Sequence, residues 1–413
     1  MPTVRIINAS DTRALARLVT APERRNVRAA AVVAKIVADV RRRGDAAVTA
    51  YARRLDGLDG AIEITRREID AAVRATPADV RRALKTAAAN IRKVARRQVP
   101  RPATIRVGPG LVIEQSVTPL RRVGCYVPAG RYPLPSSLLM TAIPARVAGV
   151  EEVVAVCPRP APVVLAAARE AGVDRLFRIG GAHAVAALAY GTATVPRVDK
   201  IVGPGSSYVA EAKALVSRDC AIDFHAGPSE IVIVSDVASA RWIAADMIAQ
   251  AEHDVEARAI FITTRPSLAR EVQRMLDQRM PASGPARQAL SRWGAIVVAR
   301  SRADAVAIAD GLTPEHLVCD DDRTARAVRA GTAFVGAWSA QAAGDYATGS
   351  NHVLPTAGAA RFRGGLSAAD FVRVSSVQRV TAAGLRRIAP AVIALAEAEG
   401  LTAHADSIRE RVR

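Results

Sequence analysis

Apolar positions recur along this chain with two periods, and the changes between them mark out its elements. Residues 4–8 have the period of a short strand. From Pro22 to about Gln98, Ala, Val and Leu return at three- and four-residue steps, which predicts helix, and Pro100 and Pro102 close that block. Residues 103–127 read as strands interrupted by Gly108-Pro109-Gly110. From Ser136 the units become short and alternate: helix 137–148, strand 152–157, helix 162–171, strand 175–179, helix 182–190, strand 199–202, helix 206–217, strand 221–225. A second series follows: strand 230–235, helix 238–253, strand 258–263, helix 267–277, strand 294–299, helix 302–310, strand 332–335. Strands alternating with helices of about ten residues predict parallel sheets with right-handed crossovers. The expectation is an α/β protein of two doubly wound domains, with a mostly helical tail from Leu366 onward.

Composition agrees with that picture. With 413 residues, half of them hydrophobic and only 4% aromatic, the chain has material for more than one core. A formal charge of +19 suggests a nucleic-acid surface, but the charge is carried almost wholly by Arg, with only five Lys (Lys35, Lys85, Lys93, Lys200, Lys213). The dense runs Arg41-Arg42-Arg43, Arg66-Arg67, Arg81-Arg82 and Arg96-Arg97 sit on predicted helices among Ala and Asp, without interleaved aromatics. That pattern fits a solvated face, and no nucleic-acid partner is expected. Cys125, Cys157, Cys220 and Cys319 form no CxxC pair, so neither a zinc cluster nor a disulfide framework is expected. No leader-like N-terminus and no run of eighteen apolar residues is found, so the expected protein is cytoplasmic, with no membrane partner.

Candidate chemistry gathers at predicted element ends. Gln250 and His253 in Ile-Ala-Gln-Ala-Glu-His-Asp share a helix face. They read either as a metal pair or as two solvated polar residues, since an amide is a weak ligand and the familiar zinc helix carries His at i and i+4. Gly203-Pro204-Gly205-Ser206-Ser207-Tyr208 is a partial dinucleotide fingerprint, readable as an anion cradle or as a tight strand-to-helix turn. Ligands of doubly wound sheets bind beyond the carboxyl ends of the strands, so polar residues there attract the first attention. Of the six histidines, His183, His225, His253, His316, His352 and His404 all fall in turn-like segments or at element ends. Glu315 and His316 follow Pro314, so one rigid turn offers a carboxylate and an imidazole, either as general bases or as the first turn of a helix.

Several longer motifs go further. GCYVPAGRYPLPSSLLMTAIPARVAGV, DKIVGPGSSYVAEAK, AGPSEIVIV, AQAEHD, PEHL, GDYATGSNHVLPT and EGLTAH occur in the order and spacing that resemble the histidinol dehydrogenase family, from about residue 20 to 410. The resemblance implies two incomplete Rossmann-like domains in a homodimer with shared active sites, and two NAD-dependent oxidations of L-histidinol to L-histidine through a held aldehyde. It implies one zinc ion per subunit held by Gln250, His253, Asp345 and His404, the last from the partner subunit. Glu315 and His316 match the catalytic pair, and Ser229, His352 and Glu399 match substrate contacts, Glu399 from across the dimer. Tyr126, His183 and Ser206 match cofactor contacts. Two of these depart from the family: His183 stands where a Gln is usual and Ser206 where an Asn is usual, while Ala129 replaces a Gly. The implied layout is an N-terminal segment 1–21, a discontinuous α/β domain 22–125 with 231–365, a cofactor-side domain 126–230, and a helical tail 366–413 completing the partner's site. The competing readings are a paralogue oxidising another small polar diol with zinc and NAD, and a basic scaffold protein that has lost catalysis.

Overall fold

The computed structural model describes residues 4–19, 27–129, 132–224 and 227–413. A five-stranded parallel sheet contains β4 (Arg122–Tyr126), β5 (Glu152–Val156), β6 (Arg175–Phe177), β7 (Lys200–Val202) and β8 (Ala221–Ile222), in the order β6-β5-β4-β7-β8. A six-stranded parallel sheet contains β1 (Arg5–Asn8), β9 (Glu230–Val234), β10 (Arg258–Thr263), β11 (Ala295–Val298), β12 (His316–Cys319) and β13 (Thr332–Val335), in the order β1-β11-β10-β9-β12-β13. Counted from β4 and from β9, both sheets run third, second, first, fourth, fifth. That is the order of a Rossmann unit without its sixth strand. The fold is therefore two incomplete Rossmann-like units, with β1 filling the outer edge of the second beside β11.

Burial on both faces accounts for the composition of these strands. Every residue of β9, Glu-Ile-Val-Ile-Val, is buried, as suits a strand covered by helices on both sides. The helices bring Ala and Leu to close quarters: all of Ala182–Ala189 in helix Gly181–Tyr190 is buried.

The helical block after residue 27 does not join the 231–365 unit, as the resemblance implied. Val33, Val37 and Val48 pack with Val154, Phe177 and Leu188, and Leu84, Ala88 and Ile91 pack with Leu138, Ile143 and Val123. Both groups cover the five-stranded sheet. The implied N-terminal segment is likewise not separate, because β1 is hydrogen-bonded into the six-stranded sheet. The tail is mostly helical, as expected, but it opens with a strand. Residues 372–380 form β14 (Val372–Val380), which pairs antiparallel along its whole length with β3 (Leu111–Pro119), itself paired with β2 (Ala103–Gly108). Val-Arg-Val-Ser-Ser-Val-Gln-Arg-Val does not alternate regularly, but four of its nine residues are β-branched Val, which suits a strand. Helices Ala382–Ala398 and Thr402–Val412 follow and pack on each other.

The chain passes from the carboxyl end of β8 to the amino end of β9 within Asp223–Ser229, of which His225 and Ala226 lie outside the described residues. A buried ion pair anchors the near end of this link. Lys213 and Asp223 are 3% and 6% exposed and are ion-paired. Lys213 Nζ donates to the Gly203 carbonyl at 2.9 Å, and Asp223 Oδ2 accepts from the Gly203 N–H at 2.7 Å. Gly203 has φ +114°, and a Cβ there would lie 2.2 Å from the Tyr126 carbonyl oxygen, so only glycine fits.

Removing one charge of this pair leaves the other buried without compensation. Lys213→Met is expected to destabilise by about 3–5 kcal/mol in urea unfolding, and Lys213→Met/Asp223→Asn by clearly less than the sum of the single changes. Additive effects would show that the pair does not act as a unit.

Candidate active site

The site is built on the amino ends of β9, β10 and β12. Ser229 directly precedes β9, helix Ala240–Ala251 returns to deliver Gln250 and then His253 ahead of β10, and Glu315-His316 opens β12. This is the opposite edge of the sheet from the one the topological rule favours.

The backbone of Glu230 fastens the two central side chains. Its N–H donates to Glu315 Oε2 at 2.8 Å, and its carbonyl lies 3.1 Å from His316 Nδ1. The carbonyl can only accept, so Nδ1 carries the proton and Nε2 is left as a free base. That Nε2 is buried and has no hydrogen-bond partner. Ser229 Oγ donates to Glu315 Oε2 at 2.6 Å and accepts from Gln250 Nε2 at 2.5 Å. The Gln250 Oε1 atom is also buried and unpartnered, an unmet demand for a donor or a cation.

Asp345 joins this group from helix Gln341–Tyr346. Its Oδ2 accepts from Gln341 Nε2 at 2.7 Å and lies 3.8 Å from His253 Nε2, while its Oδ1 lies 3.8 Å from His316 Nε2. These two gaps are too long for hydrogen bonds. Two donors on one zinc ion stand at most about 4.2 Å apart, so His253 and Asp345 are spaced to share one. His352 Nδ1 donates to the Asp345 carbonyl at 2.8 Å, which again leaves Nε2 free.

Burial sets the electrostatics. It pushes the Glu315 carboxyl up to about 7, against the hydrogen bonds from Ser229 and Glu230 that favour the charged form. Burial also pushes Glu230 up to about 7, opposed by Arg258, whose guanidinium lies 3.5 Å away. It lowers His316 and His352, which keeps both imidazoles neutral and able to accept protons. Thr313, just before Pro314, has φ +46°, a strained conformation for a β-branched residue. Beyond it the pair begins a strand, so the helix-start reading of Glu315 does not hold.

The cofactor-side residues cluster at carboxyl ends of the other sheet, but not as expected. His183 is 1% exposed and faces inward. Its Nε2 is 2.8 Å from Asp56 Oδ2, which also accepts from the Gly180 N–H at 2.9 Å. The buried Tyr126 hydroxyl accepts from the Gly181 N–H at 2.9 Å. The chain's own groups thus occupy the start of helix Gly181–Tyr190, and His183 acts on that helix rather than on a ligand in the cleft. Ser206 is exposed at the start of helix Ser207–Val216 and makes no side-chain cap, so this helix end is open to an anion.

Glu399 and His404 are not brought to the site within one chain. Both are exposed on the C-terminal helical hairpin. Among the described residues no group of three or more His, Cys, Asp or Glu side chains is placed to hold a metal ion. Glu230, Gln341 and Asp56 escaped the sequence reading. Gln341 had a usable signal, four residues before Asp345 on one helix face, and Glu230 stood beside Ser229. Asp56 had none, being 127 residues from His183.

Glu230 also gives the fold a pH dependence. Its ordinary value is 4.5 and its folded value about 7, so the folded chain retains a proton that the unfolded chain releases. Stability from this group is complete below about pH 4.5 and is lost as pH rises to about 7. Glu230→Gln is expected to gain in urea midpoint relative to the unsubstituted chain between pH 5 and 8, with the difference levelling off above about pH 7. Parallel midpoint curves would contradict this.

Comparison with known proteins bears on the whole chain. The profile of the histidinol dehydrogenase family matches residues 19–412. A histidinol dehydrogenase of Geobacter sulfurreducens is 45% identical over 399 residues, covering 92% of this chain and 93% of that one. One from Cereibacter sphaeroides is 46% identical over 397 residues, with 92% of each covered. The crystal structure of histidinol dehydrogenase from Elizabethkingia anophelis superposes with a TM-score of 0.95 at 30% identity, over 100% of this chain and 98% of that one.

Proposed function

Because this chain belongs to the histidinol dehydrogenase family, we propose that it oxidises L-histidinol to L-histidine with zinc and NAD, through bound L-histidinal. The observation that carries the reading is the Glu230 backbone holding Glu315 and a His316 with a free Nε2 beside Ser229, Gln250, His253 and Asp345.

His316 Nε2 takes the hydroxyl proton while the carbinol hydride passes to the first NAD, giving the aldehyde. Glu315 then takes a proton from the water that adds to the aldehyde carbon. The hydrate gives its hydride to a second NAD and a hydroxyl proton to His316, leaving the carboxylate. The balance is one alcohol, one water and two oxidised cofactors to one carboxylate, two reduced cofactors and three protons. Ser229 and His352 orient the substrate beside these bases.

Gln250, His253 and Asp345 would hold zinc, with His404 of the partner subunit as the fourth ligand. The unpartnered Gln250 Oε1 and the His253–Asp345 spacing fit that role. When bound, zinc would grip the substrate's imidazole and amine and so fix the alcohol in place, a template role. The homodimer has support in the exposed apolar side chains of the three-stranded sheet and hairpin. Val107 is 61% exposed, Val374 48% and Leu395 65%, and apolar side chains so exposed are of the kind that a partner covers. Glu399 of the partner subunit then completes the substrate pocket. No helix among the described residues is long and apolar enough to cross a membrane.

Glu315→Gln is expected to lower the rate of L-histidine formation by roughly 10²–10⁴ while zinc content by metal analysis stays unchanged. The checks are NADH release from L-histidinol and product chromatography. A variant with full turnover would remove Glu315 from the mechanism. No histidinol-dependent NADH from the unsubstituted protein would remove the substrate assignment.

A further inference from the structure

Asp345 is the one acid among the proposed zinc ligands, and it lies on a helix of six residues, Gln341–Tyr346. Contacts on three sides fix the backbone of that helix. A Cβ on Gly344 would meet the Phe334 ring of β13 at 2.6 Å, so the helix lies directly on that ring. Ser339 Oγ donates to the Val335 carbonyl at 2.6 Å ahead of the helix, and Asn90 Nδ2 donates to the Ala347 carbonyl at 2.7 Å behind it.

The carboxylate itself needs a separate restraint, because the last torsion of an Asp side chain is soft. Among the described residues one hydrogen bond reaches it, from Gln341 Nε2 to Oδ2 at 2.7 Å. His253 Nε2 and His316 Nε2 stand 3.8 Å from Oδ2 and Oδ1 respectively, beyond hydrogen-bond reach. Gln341 is 1% exposed and sits one helical turn before Asp345. On an exposed helix such a pair adds little to stability, but here both members are buried beside two imidazoles. A carboxylate only accepts, so the amide nitrogen and not its oxygen must face Asp345. The donor is also neutral. An Arg or Lys in its place would cancel the charge that attracts a cation, whereas an amide orients the acid and leaves that charge intact.

We propose that Gln341 is a positioning residue of the metal site: its amide holds Asp345 Oδ2 facing His253 and thereby sets the affinity for zinc. The proposal rests on the zinc ligands argued above and adds to them the side chain that aims one of them. Partners that hydrogen-bond a ligating carboxylate typically govern metal affinity by roughly 10–100-fold. In this role Gln341 touches neither metal nor substrate and acts only through Asp345.

Titration of the metal-stripped, full-length protein with zinc against a fluorescent chelator reads this without any assay of turnover. Gln341→Met keeps the length of the side chain and removes the donor, and it is expected to raise the zinc dissociation constant by roughly 10–100-fold. In an Asp345→Ala background the same change should cost less than about twofold, since the ligand it aims is gone. An unchanged constant in Gln341→Met, or a loss of similar size in both backgrounds, would overturn the proposal. If Gln341→Met does not fold, Gln341→Asn, whose amide is drawn back by one methylene, is read in the same two backgrounds with the same expectations. NADH release from L-histidinol separates failure of this role from failure of the function. Turnover by the unsubstituted protein with a zinc affinity indifferent to Gln341 removes the role and leaves the dehydrogenase reading standing. A Gln341-dependent zinc affinity without turnover of L-histidinol upholds the role and removes that substrate. Absence of zinc binding by the unsubstituted protein removes both.

Discussion

The backbone of one residue orders the chemistry of this protein. The N–H and carbonyl of Glu230 engage Glu315 and His316 simultaneously, and both bonds exist because β9 and β12 are parallel neighbours in register. A backbone group in a central strand cannot swing away, so the carboxylate and the imidazole are held by the sheet itself. The proton sits on His316 Nδ1 because the carbonyl accepts there, and the free Nε2 follows from the same bond. Burial then does two things. It lowers the imidazole, which stays neutral and able to accept a proton, and it raises the carboxyl to about 7. The side chain of Glu230 extends the arrangement by accepting from the Ala357 N–H at 3.1 Å, which ties down the segment that follows His352.

The second constraint is connectivity. Two units of the same strand order are joined from the carboxyl end of β8 to the amino end of β9 by a link a few residues long. The carboxyl edge of one sheet is thereby joined through the chain to the amino edge of the next. Lys213 and Asp223 fix the start of the link, and the Arg363 guanidinium bonds the Asp223 carbonyl and lies 4.5 Å from the centre of the Phe224 ring. Ser229, at the far end, is bonded to Glu315 and Gln250. The carboxyl-edge rule agrees with the placing of the proposed cofactor contacts on the first unit. It fails for the second, whose carboxyl edge is filled by Asp236, Asp320, Asp321 and Arg302 bound to one another and to Ser235, Thr263 and Thr264.

Most of the sheet-forming series could be read directly. The alternation of apolar runs and helical stretches placed nearly every strand from 152 to 335, because strands covered on both faces are continuous apolar runs. His316–Cys319 was passed over because four residues next to a turn carry too little periodicity. The helices of 27–98 were seen, but an apolar stripe says that a helix is covered and not which sheet covers it. Residues 372–380 lost their strand signal beside two strongly helical segments. At the site, Pro314 and the adjacent acid and base made Glu315 and His316 conspicuous in the sequence, while motif resemblance was needed to join Gln250, His253 and Asp345. The inward turn of His183 depended on Asp56, a contact between distant segments that no local pattern announces.

What one chain assembles is the pair proposed as catalytic and three of the four proposed zinc ligands, with an exposed hairpin carrying Glu399 and His404 elsewhere on its surface. The account therefore requires two chains per site. Mixing His316→Ala subunits with His404→Ala subunits tests this most directly. Each homodimer should be inactive. In a hybrid, both lesions fall in one site and the other is intact, so an equal random mixture should regain about one quarter of the original activity. No recovery at any ratio would place the whole site within a single chain and contradict the account.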